Sequence, residues 1–415
     1  RGFGSCMNAT ADERRNRRME PTVKIGFFGC GNVGSGVWKL LTGFSKEISH
    51  RTGLHFEVKR ALVRDVHKKR EIELPEGVLT DRVDDLLNDP EISIILEFLG
   101  GEQPAFQWDL AALEKGKTLV TANKVAFALH WHELQQAARK SGAGLYYEAA
   151  VCGAIPIIHT MEESLQANRI SYLYGIMNGT TNYILSRMSR EGLEYEDVLR
   201  DAQRLGLAEP DPSTDVEGYD AAYKLSILAS LAFHGHVPFD FIHVEGITHV
   251  SQEDIRCGQE LGYTLKLLAI AKRDGMRVET RVNPTFIPNN HPMANVSDAF
   301  NAVYLQGHAC GESQRQRRTG ETKRFFHGNY SLSDFLALED SGTSQCMVVW
   351  RMTQSSSIRA AGRTTRMTAI LISAPREMSR QMLCSSSILL MAATPTVAAK
   401  KVRPLVRMDW LQCSS

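Results

Sequence analysis

The sequence has few of the features that mark secreted, metal-finger, nucleic-acid-binding or membrane proteins. Its eight cysteines are scattered over 415 residues without a C-x-x-C pair, which is typical of reduced thiols in a cytoplasmic protein. The net charge of +1 gives no support to a nucleic-acid partner. No apolar run approaches the length of a membrane span. These absences predict a cytoplasmic protein that binds neither nucleic acid nor a membrane.

Changes in composition divide the chain into four parts. Residues 1–21 lack the apolar core of a signal peptide, and we expect a disordered leader there. Strands and helices alternate over residues 22–150, which predicts an α/β fold with a Rossmann-type, doubly wound parallel sheet. Residues 151–311 have the mixed pattern of a second, α+β domain. Residues 312–415 are rich in Ser, Arg, Thr and Met with weak periodicity, and form an anomalous tail.

Short apolar runs define the predicted strands of both halves. In the second half, "ISYLYGIM" and "FIHVEGITHV" predict strands, and "TLKLLAIAKRDGMRVETRV" predicts a helix followed by a strand. In the first half, four strands are expected, at residues 23–28, 56–63, 91–101 and 116–124.

The run G-C-G-N-V-G, which follows the first predicted strand and precedes a helix, has the context of a dinucleotide-binding loop. The first glycine makes a tight turn, the second lets the backbone approach a pyrophosphate, and the third lets the helix pack on the strand. The helix amino terminus then offers amide donors to the phosphates. The predicted cofactor-binding residues of this loop are Gly29, Gly31, Asn32, Val33 and Gly34.

The second strand ends in Arg64 and Asp65, and these residues bear on the choice of cofactor. An acid at this position favours the free ribose hydroxyl of NAD, whereas an arginine favours the 2′-phosphate of NADP. Because "HKKR" follows at residues 67–70, NADP is favoured through Arg64, with NAD as the alternative. The alternative is that this basic cluster is a solvated surface that binds no ligand.

A lysine inside an apolar helix is the first candidate for chemistry. Lys224 lies in "YDAAYKLSILASLAF", on the same predicted helix face as Asp220. Burying an unpaired ammonium group is costly, so such a lysine is usually paired, used in chemistry, or both. A buried lysine oriented by an aspartate suits proton donation to the alkoxide that forms when a carbonyl is reduced. The alternative is a structural ion pair.

Three further clusters suit a polar substrate. The "TANK" motif ends a predicted parallel strand, at the sheet edge where ligands bind. The "NGTTN" motif offers small hydrogen-bonding groups, and the loop "AEPDPSTD" is dense in carboxylates that suit an amino group, although some of these acids are equally suited to turns and caps. Thr121 and Lys124 of the first motif are candidate cofactor-binding residues. The other candidates are Asn178, Gly179, Thr180, Glu209, Asp211 and Asp215.

Two H-x-H pairs, at residues 130/132 and 234/236, raise the possibility of a metal site. Neither pair has a companion Cys, His or Glu at a recognised zinc spacing. We therefore expect surface or packing histidines.

Taken together, the glycine loop, "TANK", "EAAVCGAIPII", "GIMNGTTNYIL" and "GLAEPDPSTDVEGYDAAYKLSIL" resemble homoserine dehydrogenases. The resemblance runs in order over residues 23–311. It implies an oxidoreductase that interconverts aspartate 4-semialdehyde and L-homoserine with NADP or NAD, on the route to threonine and methionine. The amino group of that substrate fits the acidic loop.

The resemblance also implies roles for individual residues. Lys224 would donate the proton, Lys124 would be a second active-site lysine beside the nicotinamide, and Asp220 would position Lys224 and the substrate. Glu209 would hold the substrate amino group, with Asp215 among the substrate-binding residues. A sodium ion would lie behind the site, and a homodimer would form through the sheet of the second domain. The implied sodium ligands are Glu148, Val151, Gly153 and Ile155.

After residue 311 the resemblance stops. The family continues with a glycine-rich turn and a Pro-Thr-Ala helix, whereas this chain continues with "ESQRQRRTGETKRFF". We expect a shifted reading frame or an altered gene end. The first alternative function is a catalytically impaired dinucleotide-binding protein. The second is another amino-acid dehydrogenase, against which "NGTTN" and "EPDP" argue.

Overall fold

The computed structural model describes residues 21–307, so the predicted leader and tail lie outside the described part of the chain. The first half forms one sheet of six parallel strands in the order β3-β2-β1-β4-β5-β6. This order is that of the doubly wound dinucleotide-binding fold, so the predicted fold class is confirmed. The strands are β1 Thr22–Phe28, β2 His55–Leu62, β3 Leu79–Thr80, β4 Ile92–Glu97, β5 Thr118–Thr121 and β6 Leu145–Tyr146.

Six helices connect these strands and cover both faces of the sheet. The strands are short apolar runs that are buried along most of their length, as expected for parallel strands packed between helices. The helices are α1 Asn32–Gly43, α2 Ser45–Thr52, α3 Asp84–Leu87, α4 Ala105–Glu114, α5 Lys124–Leu129 and α6 Trp131–Ser141. A 3₁₀ turn, Glu148–Ala150, leads into the second half.

The second half is built on a mixed five-stranded sheet in the order β11-β7-β9-β10-β8. Its pairs are antiparallel, except that β10 and β8 run parallel. The strands are β7 Ile170–Ile176, β8 His243–Val244, β9 Tyr263–Asp274, β10 Arg277–Pro288 and β11 Ala302–Gly307.

Helices pack on one face of this second sheet. The central one is the apolar helix singled out in the sequence, which contacts β7, β9 and α5. The α-helices are α7 Ile157–His159, α8 Gly179–Glu191, α9 Tyr195–Arg204, α10 Ser213–Val216, α11 Tyr219–Phe233 and α12 Gln252–Glu260; a π-helix, Thr160–Ser164, follows α7, and 3₁₀ turns lie at Phe239–Phe241 and Pro292–Asn295. Among residues 21–307, no helix has the length and apolar character needed to cross a membrane.

The predicted helix at the start of "TLKLLAIAKRD" is wrong, because these residues form β9. Their continuous burial has a physical cause: β9 is a central strand covered on both faces. Leu267 and Ala269 pack into the main core, whereas Leu268 and Ile270 face a second apolar cluster on the other side. A strand buried on both faces shows no polar alternation, so its sequence resembles that of a buried helix.

One apolar cluster extends through both sheets. It includes Phe28 and Ile95 from the first sheet and Leu173 and Ala269 from the second. The two halves therefore share a continuous core, and the helices that meet between them, α5 and α11, are held in fixed relation to both sheets.

Candidate active site

The glycine loop has the geometry that a bound dinucleotide needs. Gly29 has a φ of +95°, which L side chains rarely adopt. A Cβ on Gly34 would lie 2.8 Å from the Gly29 carbonyl oxygen, whereas one on Gly31 would meet nothing within 4 Å. Gly31 precedes α1, and no side chain caps the helix amides. The loop therefore leaves open space in front of the amino terminus of α1, the helix that Asn32 and Val33 begin.

Beside this loop, the end of β2 presents a basic surface. Arg64 is exposed, whereas the carboxylate of Asp65 accepts a hydrogen bond from the His67 amide at 2.8 Å. Arg70 donates to the Asp65 carbonyl oxygen at 2.9 Å. Burial raises the pKa of Cys30 in the glycine loop, and the charge of Arg70 partly offsets this rise. The 64–70 segment thus curls back toward the loop and brings its positive charge with it.

Asp220 is the centre of the second cluster. Its side chain is 3% exposed, and its two oxygens bind two different lysines. Oδ1 lies 2.6 Å from Nζ of Lys124, the first residue of α5. Oδ2 lies 2.7 Å from Nζ of Lys224, one turn later on α11. Lys224 also donates to the Met177 carbonyl oxygen at 2.7 Å. The structure therefore brings together all three residues that were predicted to be catalytic.

The opposite charges of Asp220 and the two lysines stabilise one another in this buried cluster. Burial raises the pKa of Asp220, but the ammonium groups of Lys224 and Lys124 outweigh it and hold that pKa well below its usual range. Burial lowers the pKa of Lys224, but Asp220 reverses this effect, so the net shift is upward. A protonated Lys224 is thus maintained on an apolar helix because its counter-ion is buried beside it.

Asn178 and Thr180 link the cluster to the acidic loop. The Asn178 carboxamide donates to Asp220 at 2.8 Å and to Asp215 at 2.7 Å. The Thr180 hydroxyl donates to the other oxygen of Asp215 at 3.0 Å. Gly179 opens α8, where a Cβ would lie 2.8 Å from the Ala299 carbonyl oxygen. The "NGTTN" motif therefore orients the carboxylate of Asp215 toward the cluster around Asp220.

Glu209 is not drawn into this network. It is exposed on the loop before α10, and its carbonyl oxygen accepts a hydrogen bond from Gln203 at 3.2 Å. Asp211, also exposed, accepts a hydrogen bond from the Ser213 amide at 3.1 Å. This is the contact of a turn residue, which was the alternative to substrate binding for this acid. Of the acids between residues 209 and 220, Asp215 and Asp220 accept hydrogen bonds from the Asn178 carboxamide.

Thr121 faces inward, toward a residue that the sequence analysis missed. Its hydroxyl donates to Oε2 of Glu97, the fully buried last residue of β4, at 2.5 Å. Asn123, next along the "TANK" turn, caps α5 by accepting the amides of Val125 and Ala126, each at 3.2 Å. A carboxylate inside the apolar run "IILEFL" was the available signal, of the same kind that identified Lys224.

The segment that would hold sodium is ordered around Glu148. Both of its carboxylate oxygens accept amides at the start of α7, from Ile158 at 2.9 Å and from His159 at 2.8 Å. The carbonyl oxygen of Ile155 accepts the Ile157 amide at 2.8 Å. The Glu148 carboxylate therefore fixes this segment to the start of α7, with Val151 and Gly153 between Glu148 and Ile155 in sequence.

The two H-x-H pairs lie on different elements, but one cavity brings three of their four histidines together. His132, His234 and His236 line a cleft of about 520 Å³ beside Arg139. Within residues 21–307, no three His, Cys, Asp or Glu side chains are arranged to hold a metal ion. His130 instead bonds Glu102 at 2.9 Å.

A dinucleotide loop, a parallel sheet of matching order and a lysine–aspartate cluster define an oxidoreductase that uses a nicotinamide cofactor. Family profiles agree: residues 29–148 match the NAD-binding domain of homoserine dehydrogenase, and residues 156–322 match homoserine dehydrogenase. The chain belongs to the homoserine dehydrogenase family.

Individual relatives support this assignment. The chain is 45% identical over 291 residues to homoserine dehydrogenase of Bacillus subtilis, covering 70% of this chain and 67% of that protein. It is 43% identical over 294 residues to the enzyme of Corynebacterium glutamicum, covering 70% and 66%. The chain thus spans about two thirds of the length of these relatives.

Solved structures give the same result. The crystal structure of a homoserine dehydrogenase from Thiobacillus denitrificans superposes with a TM-score of 0.67 at 44% identity, covering 70% of this chain and 68% of that one. A hyperthermophilic archaeal homoserine dehydrogenase in complex with NADPH shares the fold, with a TM-score of 0.57 at 24% identity. None of these matches favours the impaired alternative over an oxidoreductase of this family.

Proposed function

We propose that this chain interconverts aspartate 4-semialdehyde and L-homoserine with NADP or NAD. One observation supports the proposal above the others: the carboxylate of Asp220 is bound by Lys124 and Lys224 at 2.6 and 2.7 Å. Lys124 begins the helix that follows β5, at the carboxyl edge of the parallel sheet, where a nicotinamide would lie. Lys224 comes from the second half, so the pair faces the region between the cofactor and the acidic loop.

The reduced cofactor, when bound, supplies the hydride that reaches the carbonyl carbon of the substrate. The lysines then act on the oxygen of that carbonyl. Lys224 holds a proton at Nζ and releases it to the developing alkoxide, directly or through one water. In the reverse direction the same group accepts the proton of the homoserine hydroxyl. Asp220 keeps Lys224 charged and oriented, and Lys124 adds a second positive charge that stabilises the developing alkoxide.

The substrate's amino group gives the acidic loop its role. Asn178 and Thr180 occupy both oxygens of Asp215 with donated hydrogen bonds, which fixes the carboxylate but leaves lone pairs for an ammonium ligand. Glu209 is exposed on the same loop, and its side chain is available for the same ammonium group. Recognition by these two carboxylates would select an amino aldehyde over a simple aldehyde.

Three further proposals follow from family membership. Sodium would be held by the Glu148 carboxylate and the carbonyl oxygens of Val151, Gly153 and Ile155. A homodimer would form through the outer face of the second sheet, where Tyr174 and Tyr304 stack with ring centroids 4.7 Å apart. The enzyme would act in the cytoplasm.

Homoserine-dependent reduction of NADP and of NAD by the purified full chain is the direct test, with cofactor binding measured in parallel. Turnover of homoserine, with no turnover of primary alcohols that lack the amino group, is the expected result. Cofactor binding without turnover would overturn the proposed reaction and support a dinucleotide-binding protein. Turnover of a different amino alcohol would indicate another amino-acid dehydrogenase.

A further inference from the structure

Glu97 is a buried acid for which the reaction just proposed assigns no role. It is the last residue of β4 and is 0% exposed. Three donors surround it: the Leu99 amide at 2.6 Å, the Thr121 hydroxyl at 2.5 Å and the Asn123 carboxamide at 3.5 Å. An ionised carboxylate can accept all three, whereas a protonated one presents a donor of its own to this shell. The shell is therefore matched to the ionised form.

Two of these donors, Thr121 and Asn123, belong to the turn that presents Lys124. Glu97 and Thr121 are paired residues on β4 and β5. The Thr121 hydroxyl accepts the Asn123 amide at 2.9 Å while it donates to Glu97. The Asn123 side chain caps α5, whose first residue is Lys124. A continuous chain of hydrogen bonds thus runs from Glu97 to the helix start that places Lys124 against Asp220.

We infer that Glu97 is a positioning residue: its ionised carboxylate fixes the Thr121–Asn123 turn so that the Lys124 ammonium group reaches Asp220. The inference rests on the proposed role of Lys124 in the reaction. Glu97 acts through this turn and touches neither substrate nor cofactor.

An ionised Glu97 carries a free-energy cost because the side chain is fully buried. Burial raises the pKa of Glu97 to about 7, although the bonds from Thr121, Leu99 and Asn123 each lower it. A glutamine would have the same shape without that cost, but its amide group would face one of the donors. If Glu97 had only a packing role, this replacement would leave kcat unchanged, whereas the loss of a positioning carboxylate would lower kcat.

The groups that face Glu97 determine its pH response. Asp109 faces it from α4, and burial together with the charge of Glu97 raises the pKa of Asp109 well above its usual range. The paired residues on β1 and β5, Phe28 and Thr121, carry no acid or base. Lys124 on α5 is paired with Asp220. On the loop after β4, Glu102 is bonded to His130.

Glu97→Gln in the full chain tests the inference, with the exposed Glu114→Gln as the matched control and Lys124→Ala as the reference. For Glu97→Gln we expect kcat to fall about tenfold or more, with cofactor Kd unchanged. The wild-type rate should decline as pH falls below about 7, because Glu97 then becomes protonated. This decline should be smaller in Glu97→Gln. A kcat within about twofold of the wild type, while Lys124→Ala is inactive, would overturn the inference.

A second measurement does not depend on turnover. Acylation of lysines, followed by mass spectrometry, reports how firmly each ammonium group is held. Lys124 should be labelled several-fold faster in Glu97→Gln than in the wild type, with the exposed Lys140 unchanged. Equal labelling of Lys124 in both proteins would overturn the positioning role even if the reaction proposed for the chain were wrong. Faster labelling in an inactive chain would support the positioning role and refute only the reaction.

Discussion

Lys124 and Asp220 come from helices in different halves of the protein, and their side chains meet at 2.6 Å. Lys124 follows the fifth strand of the parallel sheet, whereas Asp220 lies in the first turn of α11, which packs on the mixed sheet. This ion pair joins the nucleotide-binding half to the half that carries Lys224. Disrupting it, or the groups around it, should affect chemistry, cofactor binding and stability in separable ways.

Lys224→Ala should reduce kcat by about 10²- to 10⁴-fold, the range expected when a positioned acid is removed. Cofactor affinity should stay nearly unchanged, because the glycine loop lies on the other half. Steady-state kinetics and cofactor titration measure the two effects. Lys140→Ala, at an exposed site on α6, is the control, and equal rates for the two variants would refute the role of Lys224.

Asp220→Asn should shift the pH dependence of the rate and weaken the fold. Burial alone lowers the pKa of Lys224, and Asp220 is the chief group that raises it. Its removal should therefore move the basic limb of kcat for aldehyde reduction, in which Lys224 donates a proton, to lower pH. In the wild type, the stabilisation from this raised pKa is present below the ordinary lysine value and is lost as pH rises through the folded-state value.

The loss of stability in Asp220→Asn should be about 3 kcal/mol, because two lysines lose a buried counter-ion. Urea unfolding at neutral pH measures it. Asp197→Asn, in an exposed pair with Arg200, is the control and should change little. An unchanged pH profile in Asp220→Asn would contradict the assignment of Lys224.

Arg64→Ala should raise the KM for NADP and leave that for NAD nearly unchanged. A charge-assisted hydrogen bond to a 2′-phosphate contributes about 1.5–3 kcal/mol, which corresponds to roughly ten- to a hundredfold in affinity. Arg51→Ala, at another exposed position, should affect neither cofactor. Equal changes with both cofactors after Arg64→Ala would exclude phosphate recognition by this side chain.

Gly34→Ala should weaken cofactor binding and the fold around the loop. The added methyl group would lie 2.8 Å from the Gly29 carbonyl oxygen, so either α1 or the loop must move. Gly43→Ala, at the other end of α1, adds a methyl group that meets nothing within 4 Å. Cofactor titration should separate the two variants, and similar affinities would mean that the loop tolerates the shift.

Asp109→Leu should stabilise the protein at neutral and alkaline pH. Within the described residues, the buried Oδ1 of Asp109 has no hydrogen-bond partner, and an unsatisfied buried polar atom costs about 1–3 kcal/mol. Because burial raises the pKa of Asp109, the wild type loses stability as pH rises above the ordinary aspartate value. The gain should therefore be larger at pH 8 than at pH 5 in urea unfolding. Asp81→Leu, at an exposed site, should show no such difference.

The parallel sheet and the cluster around Lys224 could both be predicted because each leaves a signal in a short stretch of sequence. Parallel strands are apolar runs bounded by glycine, and a charge inside an apolar helix demands a partner, so both leave local signals. The same signal was present at Glu97 in "IILEFL" and at Asp109 in "QWDLAAL", where it went unused.

Other features left no local signal. The segment that forms β9 lacks polar alternation because both of its faces are covered, so its period could not separate a strand from a helix. Glu209 is the first acid of the loop "AEPDPSTD", but its exposure depends on how the loop before α10 is folded. The meeting of Lys124 with Asp220 depends on the packing of α5 on α11, which only tertiary structure determines.

The ion pair between α5 and α11 also has a consequence for folding. Each sheet draws its strands from one half of the chain, whereas Lys124 reaches Asp220 only after α5 has docked on α11 across the shared core. Contacts between segments so far apart in sequence are among the slow steps of folding. Recovery of activity after dilution from denaturant should therefore lag behind the recovery of secondary structure, and a newly made chain would gain its catalytic function last.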